Sequence, residues 1–195
     1  MMRVLIAFFC CLLITACSIN PVDRGEGNML ALRPVKVDKN AGANTGRLVI
    51  DYPTSAGEVD TSRVALMRPN GTLDYYAATR WTDFLPVIVQ TTLTETLALS
   101  GTYAFVRSDD AGLGDGHLLK SHIRHFEAVY PAYMERPPEV RIEIDFDVVD
   151  VKTDATVKSF TLRAGHQAID NTTAAIHVAF LNAFADVQQQ LVSRL

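Results

Sequence analysis

Alternation of apolar and polar residues is clearest in the C-terminal half of the chain. In the stretch Val140 to Val151 every second side chain up to Val148 is apolar, with three acidic residues and one arginine between them. This pattern predicts a strand that has one buried face and one wet face. The stretches His117 to Tyr130 and Thr156 to Ala164 are further strand candidates on either side of it.

Shorter β-type stretches precede these long strands. A turn signal, Pro69-Asn70-Gly71-Thr72, separates two of them and predicts a hairpin. The predicted short strands are Arg47 to Tyr52, Ser62 to Arg68, Leu73 to Ala78 and Tyr103 to Arg107.

Two segments have helical spacing. Thr82 is a candidate N-cap for the first, which tolerates Pro86 in its first turn and stops at Ser100-Gly101. Asp170 or Asn171 is the candidate cap of the second. The apolar stripes are Leu85, Ile88, Val89, Leu93 and Leu97 in the first, and Ile176, Phe180, Ala183, Val187 and Leu191 in the second. The elements predict an α+β fold of two layers, an antiparallel sheet with both helices packed on one face.

The N-terminus has the pattern of a secretory signal. One positive charge at Arg3 precedes eleven apolar residues, Val4 to Ile14, a run too short for a membrane span of about 20 residues. The next residues, Ile14-Thr15-Ala16-Cys17, resemble the bacterial lipobox. The resemblance implies cleavage between Ala16 and Cys17, a diacylglycerol on the thiol and an acyl group on the new amino group. Several acyl chains are enough for stable anchoring.

The chain therefore divides into three parts. Residues 1–16 are the predicted lipoprotein signal peptide, residues 17–46 a lipid-anchored tether, and residues 47–195 a single periplasmic α+β domain. Gly, Asn and Pro are dense in the tether, as in linkers, although Met29 to Val37 is a candidate edge strand. Ser18 follows the cysteine, where Asp would signal retention at the inner membrane. By that resemblance, in a host with this sorting rule, the protein belongs to the periplasmic face of the outer membrane.

Composition narrows the function. Apolar residues make up 48% and charged residues 21% of the chain, as in a folded globular protein. The net charge is −4, and loss of Arg3 with the signal leaves 17 basic against 22 acidic residues, a net −5. No basic block occurs, which argues against a nucleic-acid partner. Cys10 and Cys11 would also leave with the signal, so no disulfide forms within one mature subunit.

The sequence contains no strong motif for metal binding, catalysis or phosphate binding. His122 and His125 stand three apart on a predicted strand and should point to opposite faces, so they predict no metal site. Glu143, Asp145 and Asp147 share a face with Arg141, which is typical of a solvated surface. There is no nucleophile elbow and no phosphate loop. We expect a protein that is not an enzyme and has no cofactor other than the acyl groups on Cys17.

One aromatic segment stands out between Leu73 and Pro86. It contains Tyr75, Tyr76, Arg80 and Trp81, the last being the only tryptophan. Aromatic residues beside arginine are enriched at interfaces, so these four residues are a candidate contact with a partner or with lipid. The alternative is that Trp81 only staples the strand end to the following helix.

The same region resembles the auxiliary lipoproteins of ABC-type transport systems, the family of PqiC-like proteins. The likeness rests on Ser62–Met67, Tyr75-Tyr76, the stretch Arg80 to Pro86 and the stretch Ser100 to Val106. It implies a non-catalytic accessory or docking component of a system that moves phospholipids between the inner and outer membranes. The implied partner is a periplasmic MCE-domain protein and, through it, an ABC permease and ATPase.

Two other functions compete with this one. A structural or assembly lipoprotein that supports outer-membrane barrel biogenesis fits the same anchor, and a periplasmic hydrolase is disfavoured because a catalytic set is missing. The sequence leaves a homo-oligomer open.

Overall fold

A computed structural model describes residues 27–37, 44–108 and 115–195. Nine strands and two helices lie in these ranges. The strands are β1 (Asn28–Leu30), β2 (Asn44–Ile50), β3 (Thr54–Ser55), β4 (Arg63–Met67), β5 (Leu73–Trp81), β6 (Tyr103–Arg107), β7 (His117–Val129), β8 (Glu139–Asp150) and β9 (Ala155–Gln167). The helices are α1 (Leu85–Ser100) and α2 (Thr173–Arg194). Neither helix has the length and apolar character needed to cross a bilayer.

Strand β7 is the centre of the sheet. On one side it pairs in turn with β2, β3 and β4, all parallel to it, through Leu48 opposite His117, Thr54 opposite His122 and Ala65 opposite Glu127. On its other side β8 and then β9 continue the sheet in antiparallel fashion. The chain from β2 to β4 thus runs beside β7 as one interrupted strand.

The predicted α+β class, with two helices on one face of a sheet, is confirmed. The sheet itself is mixed rather than antiparallel, because β2, β3 and β4 all run parallel to β7. Between β4 and β7 the chain passes through β5, α1 and β6, a connection long enough for the crossover that parallel pairing requires. The predicted hairpin of β4 and β5 is antiparallel as expected.

The core lies between the sheet and the helices. Strand β8 contributes one complete face, on which Val140, Ile142, Ile144 and Phe146 are all buried. The predicted stripe of α2 is buried against the sheet, as is that of α1 apart from the half-buried Ile88. The apolar face of β8, at every second residue, and the apolar stripe of α2, at helical spacing, both belong to this core.

Both helices begin later than predicted. The N-cap of α1 is Phe84, not Thr82, and it has no side-chain cap bond, while Pro86 lies in the first turn. The N-cap of α2 is Thr172, whose hydroxyl accepts from the backbone N–H of Ala175 at 3.2 Å. Asp170 supports this cap from outside the helix, since its carboxylate accepts from the N–H of Thr172 at 2.7 Å.

The predicted edge strand from Met29 to Val37 is only partly a strand. Residues Asn28–Leu30 form β1, which pairs in parallel with β5 at the edge of the sheet. Residues 31–37 then continue across the two helices. The folded part of the protein thus includes residues that the sequence assigned to the tether.

Gln188 on α2 holds this crossing segment, although its side chain is only 1% exposed. Its amide oxygen accepts from the backbone N–H of Val35 at 3.2 Å and from the hydroxyl of Thr96 on α1. Its amide nitrogen donates to the carbonyl of Arg33 at 3.2 Å. One buried side chain therefore links the N-terminal segment to both helices, and both polar atoms of its amide have hydrogen-bond partners.

Replacing Gln188 with Leu should destabilise the protein by about 2 kcal/mol, because buried polar groups of the segment lose their partner. Urea unfolding followed by circular dichroism measures this loss. Gln189→Leu is the matched control, since the neighbouring glutamine is exposed and its change should stay within about 0.5 kcal/mol. Equal effects of the two variants would contradict the assigned role of Gln188.

Candidate docking surface

The predicted lipid attachment site, Cys17, and the predicted cleavage site after Ala16 lie outside the described residues. Both remain predictions. The described chain begins at Gly27, next to β5, and a Cβ placed on Gly27 would lie 3.0 Å from the carbonyl oxygen of Ala78. The chain therefore enters the fold beside the aromatic segment that the sequence singled out.

Trp81 is in the core rather than at the surface. Only 2% of it is exposed, and its ring packs edge-on against Phe126 of β7 at 5.7 Å and Phe180 of α2 at 5.1 Å. Its place at the end of β5 turns the indole toward the helices, and the contact role suggested for it does not fit this position. The alternative, that Trp81 joins the strand to the helical layer, describes the structure better.

The two tyrosines have different surroundings, and both are half-buried. The hydroxyl of Tyr76 donates to that of Tyr130 at 3.1 Å, and burial raises the pKa of Tyr76 far above its usual value. Tyr75 lies under the guanidinium of Arg63, 3.8 Å from the ring centroid, and donates to the carbonyl of Glu58 at 2.8 Å. A cation over a ring face is a favourable contact.

Arg80 is exposed and stands opposite Arg63 in the pairing of β4 with β5. Arg63, Tyr75 and Arg80 therefore form one group, which we call the arginine–tyrosine patch. It lies on the face of the sheet away from the helices, because Val64 and Trp81, the neighbours of the two arginines along their strands, are buried in the core. Of the four predicted contact residues, Tyr75 and Arg80 belong to this patch.

A buried carboxylate that sequence reasoning missed lies beside the patch. Glu127 of β7 is 1% exposed and accepts from Arg141 of β8 at 2.9 and 2.5 Å and from the backbone N–H of Phe126 at 2.7 Å. The ring of His125 is 3.1 Å away. A single acid among apolar residues, in Phe126-Glu127-Ala128-Val129, was the available signal. Its partners satisfy it, which makes it a structural ion pair.

His122 and His125 lie on the same face of β7, contrary to the prediction that they point to opposite faces. The pairing of β7 with β8 shifts between Ile123 and His125, so Arg124 is an extra residue there. Such a bulge changes the side-chain alternation by one. The two imidazoles have separate partners, Thr54 for His122 at 2.9 Å and Arg141 for His125 at 3.2 Å. Among the described residues, no group of three or more His, Cys, Asp or Glu is placed to hold a metal ion.

The acidic residues of β8 form ion pairs at the surface. Arg163 donates to Glu143 at 2.8 and 3.0 Å, and Arg124 donates to Asp145 at 2.5 Å. The hydrogen bond from Arg163 holds the pKa of Glu143 below its usual value. Desolvation acts in the opposite direction on Asp145, but bonds from Thr161 and Arg124 outweigh it and lower its pKa. Glu143 and Asp145 thus have basic or hydroxyl partners at the surface, in line with the predicted solvated face.

The Glu143 pair predicts a pH-dependent contribution to stability. Because the pKa of Glu143 is lower in the folded protein, its contribution is present above the unfolded-state pKa and is lost as pH falls through the folded value. The difference in unfolding free energy between the wild type and Glu143→Gln should therefore shrink as pH is lowered from neutrality toward about 3. Urea unfolding at a series of pH values measures it. Glu95→Gln, at an exposed site on α1, controls for net charge, and an equal trend in both variants would contradict the pairing.

The position of Trp81 also makes a prediction. Trp81→Ala should destabilise the protein by about 3–5 kcal/mol, because it removes a large side chain from a packed core. Arg80→Ala, one residue away and exposed, should change stability by no more than about 0.5 kcal/mol. Thermal unfolding of the two variants tests this, and a stable Trp81→Ala protein would show that the indole does not pack as described.

Comparison with known proteins identifies solved structures that have a similar architecture. No protein-family model matches the sequence, and a search of curated proteins finds no match. Among solved structures, XCC0632 from Xanthomonas campestris, assigned to family DUF330, has a TM-score of 0.74 at 21% identity, over 85% of this chain and 92% of that protein.

Two more structures share the architecture. A protein described as uncharacterized has a TM-score of 0.67 at 12% identity, over 87% of this chain and 99% of its own. Protein CT253 from Chlamydia trachomatis has a TM-score of 0.56 at 8% identity, over 77% of this chain and 95% of its own. At these identities the comparisons establish a shared fold.

Proposed function

We propose that this protein is a lipid-anchored accessory component of an ABC/MCE-type transport system, attached to the periplasmic face of the outer membrane. In this role it docks a periplasmic MCE-domain protein, which connects it to an ABC permease and ATPase. The transported molecule is a phospholipid or a related hydrophobic compound. The proposal assigns the protein no reaction of its own.

The supporting observation is where the family-like segments lie in the fold. Ser62–Met67 contains β4, Tyr75-Tyr76 lies in β5, and the stretch Arg80 to Pro86 joins β5 to α1. These segments form one antiparallel hairpin and the start of the helix that follows it. The fold shared with XCC0632 over most of both chains supports the same scaffold for both proteins.

The arginine–tyrosine patch is the docking surface in this proposal. Arg80 is exposed, and the Arg63 guanidinium is already ordered over Tyr75. Arginine and tyrosine are among the residues enriched at interface hot spots, and a side chain that is already ordered loses less entropy on binding. The neighbouring acid, Glu127, is paired with Arg141, which leaves the patch with a basic character.

The anchor is tested by Cys17→Ala. Loss of the acylated thiol should release a folded protein from the outer-membrane fraction, as measured by sucrose-gradient fractionation of cells. Cys11→Ala is the matched control, because Cys11 would leave with the signal peptide and its replacement should not alter localisation. Retention of the Cys17→Ala protein in the outer membrane would contradict the anchor.

The partner is tested by site-specific photocrosslinking in intact cells. Benzoylphenylalanine at position 80 should capture an MCE-domain protein, identified by mass spectrometry, whereas the same probe at exposed Lys152, in the turn between β8 and β9, should not. Capture of barrel-assembly components alone would favour an assembly lipoprotein instead. Capture by both probes alike would show that the patch is not the docking surface.

A further inference from the structure

Three connections lie at one end of the sheet. Strand β7 ends at this end and β8 begins there, so the loop 131–138 lies at it. Strands β4 and β9 both run parallel to β7, which places the turn 68–72 and residues 168–172 at the same end. We call this end, defined by residues 68–72, 131–138 and 168–172, the tether end.

The N-terminal chain enters the fold part-way along the sheet and runs away from this end. Strand β1 is parallel to β5, which is antiparallel to β4, so β1 runs opposite to β7. Its first residue, Asn28, is therefore the one nearest to the tether end. Tyr76 of β5, two residues from Ala78 where Gly27 lies, hydrogen-bonds Tyr130, the residue just before the loop 131–138.

The tether end carries exposed apolar side chains on loops that are joined by hydrogen bonds. Ile169 is 88% exposed and Tyr133 68%, and Met134 is exposed as well. The amide of Asn171 donates to the carbonyl of Glu135 at 3.0 Å, and that of Gln167 donates to the carbonyl of Pro137 at 2.7 Å. These bonds join the two loops into one platform, so the apolar side chains project from a fixed support.

The length of the preceding chain limits how far this end lies from a membrane. Cys17 and Gly27 are ten residues apart, which is at most about 35 Å of fully extended chain. Gly27 lies beside Ala78, which the strand pairings put about 10 Å from the tether end and about 30 Å from the opposite end of the 13-residue strand β7. An anchor at Cys17 therefore reaches the tether end with chain to spare, whereas the opposite end would need an almost fully extended chain.

We infer that the tether end lies on the bilayer that holds the anchor, with Ile169, Tyr133 and Met134 inserted at the level of the lipid headgroups. This rests on the lipid anchor of the proposed function. Tyrosine suits that layer because its ring is apolar and its hydroxyl polar. The charged residues beside the tips, Glu135, Arg136, Glu139 and Asp170, are exposed and form a polar rim that limits insertion to the interface. The arginine–tyrosine patch, on a face of the sheet, stays accessible to a periplasmic partner.

The test uses the full lipidated protein in vesicles of phosphatidylethanolamine and phosphatidylglycerol. Ile169→Cys carries an NBD fluorophore, and lipids with a doxyl group quench any probe within the interface. Val157→Cys is the matched control, because Val157 is also exposed, at 50%, but lies near the start of β9 at the opposite end. Tyr133→Cys provides a second, independent position in the platform.

We expect the probes at positions 169 and 133 to shift to shorter emission wavelength and to be quenched several-fold more than the probe at 157. Equal quenching at all three positions in protein that floats with the vesicles would overturn this orientation and leave the anchor intact. Protein that does not float would overturn the anchor and the orientation together. An emission shift that appears in detergent solution and grows with protein concentration would assign the platform to a second copy of the chain, and would also overturn the inference.

Discussion

The backbone of β7 is the constraint on which the rest of the sheet depends. One edge of β7 pairs with the β8–β9 hairpin, and the other edge pairs with the β1–β5–β4 and β6–β2 groups. Among the strands that the structure describes, β7 alone joins these parts of the sheet. The strand must therefore stay extended over 13 residues while its core face packs Leu119, Ile123 and Phe126 under the helices. The bulge at Arg124 reconciles the two demands, because it keeps Phe126 in the core and turns His125 outward.

Much of this architecture could be predicted from local pattern. Strand β8 and both helices follow from alternation and helical spacing, since each buries one continuous face. The order of the strands could not be predicted in the same way. Strands β2, β3 and β4 are short, and their parallel register with β7 depends on contacts with residues far along the chain. Local sequence carries little information on such pairings.

The aromatic segment shows that residue composition alone does not predict which side chains share one surface. The four predicted contact residues are close in sequence, yet the strand gives them different surroundings. Trp81 is in the core, Tyr76 makes a half-buried hydrogen bond, and Tyr75 and Arg80 belong to the arginine–tyrosine patch. The partner of Tyr75, Arg63, comes from a different strand, so sequence neighbourhood could not identify it. Glu127 was missed for a related reason, because its partner Arg141 is brought beside it only by the pairing of β7 with β8.

The route of the N-terminal segment has a mechanical consequence. A pull on the chain before Asn28, as from the proposed anchor, would act along the axis of β1, so the hydrogen bonds between β1 and β5 would be loaded in shear and would share the force. Beyond them the load passes to the backbone at Arg33 and Val35, which Gln188 ties to the two helices. The strain is thereby distributed over the hydrophobic core instead of peeling away one strand. If the proposed anchor is present, a domain built in this way can bear tension at its N-terminus without coming apart at the point of attachment.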